Sequence, residues 1–318
     1  MIGSAGQAVR PLVGLVGLGR MGSAMARALA NAGMPLVLAN RTWSRCESLA
    51  DELGCRAEAS PAAVAATADV TLTMLADDRA VEDVYGGERG LLAGARRGAV
   101  LVDLSTVTPG LLRRFEAPAR DAGVGLLDAP VSGSTATAAS GTLTLMVGGE
   151  AGDLERARPA LEPLAASIYH VGALGTGGAM KLAVNTVIFG LNGAVAEGLV
   201  LAEAAGIDRA LAYEVLATSA VGAPYLGYKR ASFLDPAGTP PAFSLALAEK
   251  DLTLIAALAR ELGVPVEQAD LNLALVRAAS TAGRAELDFS TVAEELRART
   301  AQPVAAGDRP ATEEGRIH

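Results

Sequence analysis

Three polar side chains, Lys181, Asn185 and Asn192, interrupt the apolar run GGAMKLAVNTVIFGLNGAVAEGLVLAEAA. At ~100° per residue they fall within about 40° of one another, forming one stripe on a helix. A lysine on such a helix costs free energy unless something pairs with it or uses it. Of the chain's 27 Lys plus Arg, only Lys181, Lys229 and Lys250 are lysines. A sequence that otherwise writes positive charge as Arg keeps Lys where an amine must be able to release its proton. Lys181 is therefore the first candidate for chemistry, as a proton donor or acceptor.

A second constellation lies near the start. An apolar run, residues 12–18, leads into Gly17-Leu18-Gly19-Arg20-Met21-Gly22, and a helix of small residues follows to about Gly33. G-x-G-x-x-G alone is weak; strand before and helix after is the context of a dinucleotide site. Gly17 allows the tight turn, Gly19 lets a pyrophosphate approach the backbone, and Gly22 permits close helix–strand packing. The open N–H groups at the helix start then receive phosphate. The next strand, residues 35–39, ends in Asn40-Arg41-Thr42, where an NAD site would carry Asp or Glu for the ribose 2′-hydroxyl. That acid is missing here and Arg41 stands beside the position, with Arg45 as a candidate second contact, so a 2′-phosphate is expected: NADP(H) is the preferred cofactor and NAD the alternative.

The elements that must position these residues follow from pattern. Apolar strands at 69–75, 99–104 and 124–127 alternate with helices at 44–53, 61–67, 78–85 and 109–122, the signature of a doubly wound parallel sheet. Ligands bind beyond the carboxyl ends of such strands, which places Leu75-Ala76-Asp77 and Ser105-Thr106 at a cleft rim. Ser132-Gly133-Ser134 offers hydroxyls and backbone N–H groups that suit a carboxylate, and is equally an ordinary turn. A helix at 153–166 and a strand at 168–171 close a first domain, residues 1–174. The run from 178 to 205 reads as an interdomain helix, apolar on nearly every side and so expected to be buried all round. At about 1.5 Å per residue it spans roughly 40 Å. Helices at 209–219, 244–262, 266–281 and 290–299 complete an all-α domain, residues 175–299, and 300–318 reads as a disordered tail.

Composition narrows the partners. A formal net charge of −8 argues against nucleic acid. The uncharged stretch 182–196 is short of the ~20 residues of a membrane span. Cys46 and Cys55, without neighbouring histidine, form neither a metal cluster nor a disulfide framework and fit a reducing cytoplasm. The N-terminal apolar run is a strand, not a signal peptide. The long helix, which one small domain could not cover, points to a homo-oligomer, a dimer or tetramer.

Four motifs in order, GLGRMG (17–22), DAPVSGS (128–134), GTGGAMKLAVN (175–185) and EKDL (249–252), make the chain resemble the β-hydroxyacid dehydrogenases. Asn40-Arg41-Thr42 and PAFSLALAEKD look most like the glyoxylate/succinic semialdehyde reductase branch. The family often has Leu-Pro after the fourth strand, where this chain has Leu75-Ala76. The resemblance implies Lys181 as catalytic lysine and Asn185 as the residue orienting the substrate. It also implies Ser132 and Gly133, with Ser134 beside them, on the substrate carboxylate, and Thr106 between substrate and nicotinamide. Lys250 would reach the cofactor, and Phe243 and Asp251 would line the mouth. Reducing an aldehyde by hydride transfer develops negative charge on oxygen, which a donor must neutralise. With only His170 and His318 as histidines and no metal cluster, Lys181 is expected to supply that proton, with burial drawing its pKa down. Two alternatives stand beside this: an imine reductase on the same fold, which usually carries Asp or Tyr at the lysine position, and a non-catalytic NADP-binding scaffold, which loses the lysine.

Overall fold

The computed structural model describes residues 10–300. Its first part alternates as expected: β1 (Val13–Val16), α1 (Arg20–Asn31), β2 (Leu36–Ala39), α2 (Trp43–Leu53), β3 (Arg56–Ala57), α3 (Pro61–Ala65), β4 (Val70–Thr73), α4 (Asp78–Tyr85), the one-turn α5 (Leu91–Gly94), β5 (Val100–Asp103), α6 (Glu116–Ala122) and β6 (Gly125–Asp128). The alternation then breaks into β7 (Val131–Ser132), α7 (Thr135–Ala139), β8 (Leu143–Gly149), α8 (Ala151–Leu161) and β9 (Ala165–Gly172). The sheet runs β3-β2-β1-β4-β5-β6-β8-β7, with β9 paired to β8. Its first six strands are parallel, and β8 reverses against both β6 and β7. Because strand side chains alternate, the sheet feeds two cores. Leu15, Leu38, Leu72 and Val102 belong to one; Val16, Val37 and Leu101 belong to the other.

Some expectations need correction. The stretch 135–149, to which the pattern assigns no element, contains α7 and β8, and Ala165–Ala166, expected in a helix, begin β9. The turn Leu111–Phe115 is a 3₁₀ helix that precedes α6.

Helices make up the remainder: α9 (Thr176–Ala204), α10 (Arg209–Thr218), α11 (Pro224–Leu234), α12 (Leu245–Leu262), α13 (Glu267–Ala279) and α14 (Val292–Thr300). α11 was not expected. Of the tail foreseen from 300 onward, Thr300 closes α14 and the rest lies outside the described residues. Two compact units divide the chain: residues up to Val187 with Asp251–Val266, and Ile188–Lys250 with the residues from Glu267.

α9 is not buried all round. Only 33% of its most apolar window is covered. The buried stripe keeps a regular three–four spacing, Leu182, Asn185, Phe189, Asn192, Ala196 and Leu199, whereas Val187 is 69% and Leu201 73% exposed. An all-apolar helix implies cover on every side only if its own chain supplies that cover, and here the chain covers one face. By length and composition α9 also suffices to cross a bilayer, with a mean hydropathy of 1.5, because its apolar window is not confined to the uncharged stretch 182–196. Both buried asparagines on its stripe are hydrogen-bonded, as described below.

Candidate active site

β1 and β4 are neighbours at the point where the strand order reverses, so the crevice beyond their carboxyl ends is where a dinucleotide would lie. Gly17 has φ +97°, and a Cβ there would run into Met74 O at the end of β4. A Cβ on Gly22 would run into Gly17 O, so these two glycines close the turn on itself. Gly19 differs. Its φ of −67° suits any residue, and a Cβ there would meet nothing within 4 Å. The space in front of Gly19 is therefore kept open at the N-terminus of α1, a helix with no side-chain cap. Such an arrangement can accept a phosphate, and the residues present fit a nicotinamide dinucleotide.

Asn40 has a role the motif did not disclose. Its Oδ1 accepts the Leu18 N–H at 3.0 Å and its Nδ2 donates to Thr42 O at 3.1 Å, so the amide secures the glycine turn. Gly19, Arg20, Ser23 and Arg45 line one cleft beside the turn. Arg41 and Thr42 are exposed at the start of α2, and Met21 is half-buried.

At the ends of β4 and β5 lies a buried polar chain. Tyr85 donates to Thr73 Oγ1 (3.2 Å), which donates to Asp103 Oδ1 (2.6 Å). Ser105 Oγ also donates to Asp103 Oδ1, at 2.7 Å, and accepts the Leu75 N–H at 2.8 Å. Burial pushes the Asp103 carboxyl up to about 6, with the Thr73 and Ser105 hydroxyls pulling the other way. This network fixes the backbone beside two expected rim residues, Leu75 and Thr106, which are half-buried; Ala76 is exposed. Sequence reasoning passed over Asp103; the available signal was an acid ending an otherwise apolar strand, AVLVD.

In the second motif Asp128 ends β6 and is 8% exposed. Its Oδ1 accepts the Gly175 N–H and its Oδ2 the Gly178 N–H, each at 2.7 Å. Burial raises its pKa, opposed by those two bonds. Ser132 closes β7 and Gly133 has φ +144°. Ser134 caps α7: its hydroxyl accepts the Thr137 N–H at 3.3 Å, and its own N–H donates to Thr137 Oγ1 at 2.6 Å. The serine–glycine–serine turn is thus partly spent on capping a helix.

Lys181 stands half-buried in the second turn of α9. One turn on, Asn185 Nδ2 donates to Asp251 Oδ2 at 2.8 Å. Lys250 is half-buried beside Asp251 on α12.

Within the second unit, Asn192 donates to Phe289 O at 3.2 Å and accepts the Tyr225 hydroxyl at 2.7 Å. Lys229 binds both oxygens of Asp288 at 2.7 Å, with Nζ 4.3 Å from the centre of the Phe289 ring. Burial pulls the Lys229 pKa down while Asp288 holds it up. One of the three lysines is thereby a structural ion pair. Phe243 is half-buried, donates its N–H to Asp288 Oδ2 at 3.3 Å and packs against Phe189 and Phe289. No group of three or more His, Cys, Asp or Glu among the described residues could hold a metal, and Cys46 and Cys55 are both free thiols.

Two family models match in succession: the NAD-binding domain of 6-phosphogluconate dehydrogenase over residues 12–172, and the NAD-binding domain of NADP-dependent 3-hydroxyisobutyrate dehydrogenase over residues 175–296. A glyoxylate/succinic semialdehyde reductase 2 of Arabidopsis thaliana is 35% identical over 90% of this chain and 79% of its own length. An NAD-dependent L-serine dehydrogenase of Pseudomonas aeruginosa is 35% identical over 88% and 96%. Among solved structures, the 3-hydroxyisobutyrate dehydrogenase of Mycobacterium tuberculosis with L-serine matches with a TM-score of 0.79 at 32% identity, covering 91% of this chain and all of the other.

Proposed function

The chain belongs to the β-hydroxyacid dehydrogenase family, a nicotinamide-dependent oxidoreductase family, and on that premise we propose that it interconverts a small aldehyde-acid and its hydroxyacid with Lys181 as general acid/base. Glyoxylate, succinic semialdehyde and 3-hydroxyisobutyrate define the class, and relatives named for these activities support it. The observation that carries the reading is the placement of Lys181. It stands on a helix whose first turn is bonded through Asp128 to the end of β6, with Asn185 one turn further on.

A bound nicotinamide dinucleotide supplies or takes the hydride. In the reducing direction the Lys181 ammonium polarises the carbonyl and gives its proton to the oxygen as negative charge develops there. Ser132 and Gly133, the parts of the turn less committed to capping α7 than Ser134, hold the substrate carboxylate. Asn185 orients the substrate, itself oriented by Asp251. Thr106 lies between substrate and nicotinamide. Phe243 and Lys250 keep their proposed roles, in substrate binding and cofactor binding. NADP(H) is the preferred cofactor, with Arg41 and Arg45 on the 2′-phosphate; the NAD-dependent relative makes NAD the comparison to run.

The same reading takes the protein as cytoplasmic, with neither membrane nor nucleic acid as partner, supported by free thiols and the acidic balance. A dimer or tetramer of this chain is proposed, supported by the exposed apolar side chains Val187 and Leu201 on α9 and Leu211 and Val215 on α10.

Lys181→Ala tests the central claim. Turnover with NADPH on a panel of glyoxylate, succinic semialdehyde and 3-hydroxyisobutyrate should fall at least ~10²-fold, with NADPH affinity by fluorescence titration largely intact. Undiminished turnover would overturn the lysine assignment.

A further inference from the structure

Between the carboxyl end of β6 and the start of α9 lies a joint that the motif reading left without a role. Gly175 precedes α9 and Gly178 lies in its first turn, 47 and 50 residues beyond Asp128, yet both N–H groups converge on that one carboxylate. Anions are favoured at a helix N-terminus, and N–H bonds to a carboxylate are stronger than bonds between neutral groups.

The fit around the carboxylate is close. A Cβ on Gly148 of β8 would run into Asp128 Oδ1, and one on Gly177 would come within 2.5 Å of Asp128 O and run into Met146 O. Gly175 takes φ +95° to bring its N–H round. Arg113 Nε holds Leu174 O at 2.9 Å from the other side of the hinge. The same strand end governs the substrate turn: Asp128 pairs with Gly148, and Ser132, four residues on, pairs with Thr144 on that same β8.

We propose that Asp128 is a positioning residue, whose carboxylate clamps the first turn of α9 to the end of β6 and thereby sets where Lys181 stands relative to the Ser132–Gly133 turn. Lys181 is one helical turn beyond Gly178, and a turn of α-helix is stiff, so displacement at the clamp passes to the amine almost undiminished. The inference rests on the reading of Lys181 as the proton donor.

Asp128→Asn tests it with no change of shape. An amide can accept only one of the two N–H bonds and presents its own N–H₂ to the other. The expected signature is split: kcat falls at least ~10-fold while the NADPH Kd stays within about twofold, because the glycine turn after β1 is untouched. Arg113→Met, at an exposed side chain, loosens the same hinge from outside and should show the same split with a smaller fall, about two- to fivefold. Were kcat unchanged in both variants, or were kcat and NADPH affinity to fall in parallel with Tm, the clamp would be a stabilising contact only and the inference would be overturned. Lys181→Ala, run alongside, separates the cases. Loss of turnover there with none in Asp128→Asn rejects the clamp alone, whereas full turnover there rejects the lysine reading beneath it.

Discussion

Asn185 and Asp251, 66 residues apart, meet through a 2.8 Å hydrogen bond between Nδ2 and Oδ2, and both side chains are buried. The bond joins two of the sequence motifs, GTGGAMKLAVN and EKDL, on two different helices. An ionised carboxylate only accepts, so Asp251 decides which end of the Asn185 amide turns toward it. The opposite end, the carbonyl oxygen, is then presented in a fixed direction one turn along from Lys181.

Asn185→Asp places two carboxylates in that contact. Two such groups cannot both ionise at this distance, so one must take up a proton or the site must open. The variant should lose about 3 kcal/mol of stability at pH 7 and regain part of it at pH 5, where the pair can share a proton. Urea unfolding at the two pH values measures this, and an equal loss at both would contradict the geometry.

Gly19 and Gly22 should separate binding from folding. Gly19→Ala adds a methyl group to open space at an ordinary φ, so Tm should stay nearly unchanged while the dinucleotide Kd rises at least ~10-fold, its phosphate now meeting a Cβ. Gly22→Ala drives a Cβ into Gly17 O and should cost about 2 kcal/mol or more by thermal unfolding. Equal Tm losses in both would show that Gly19 is kept for packing.

Arg41 is exposed at the place where a 2′-phosphate is expected. Arg41→Ala should raise the KM for NADPH at least ~10-fold and leave that for NADH within about twofold, as the lost contact exists only with the phosphate. Steady-state assays with both cofactors decide it, and parallel changes would reject the assignment.

Asp103 makes stability depend on pH in a defined direction. Its folded-state pKa of about 6 lies above the ordinary 3.8, so the folded protein holds this proton more tightly than the unfolded chain does. Its contribution is therefore most favourable below pH ~4, declines as pH rises to ~6, and is constant above that, a total of order 3 kcal/mol. Stability of the wild type minus that of Asp103→Asn, followed by urea unfolding, should fall across that window and be flat from pH 6.5 to 8. A rise with pH would reverse the sign and refute the buried, raised carboxyl.

Local chemistry was legible where it depends on neighbours in sequence. The glycine turn after β1 declared itself because strand, Gly17, Gly19, Gly22 and helix follow one another, and α4 took the bounds its pattern suggested. The buried stripe of α9 could be read in part, since Asn185 and Asn192 share a face with the spacing of a helix. By contrast, β8 (LTLMVGG) is apolar enough for a strand, but its antiparallel pairing with β6 and β7 breaks the strand–helix alternation by which the other strands could be read. α11 escaped because PYLGYKRASFL carries no clean helical period, and its buried Lys229 finds Asp288 59 residues away.

The sequence by itself determined the fold class, the glycine turn after β1 and the helix bearing the candidate amine, because each is specified by residue types at fixed short spacing. Only the tertiary structure decided what Asp103, Asp128, Asn40 and Lys229 do, and which face of α9 its own chain covers. Each of those four side chains acts through a partner on another element, 22 to 59 residues away for Asn40, Asp103, Asp128 and Lys229 alike. A buried polar group takes its role from the donor or acceptor that folding brings to it, and no local pattern records that partner.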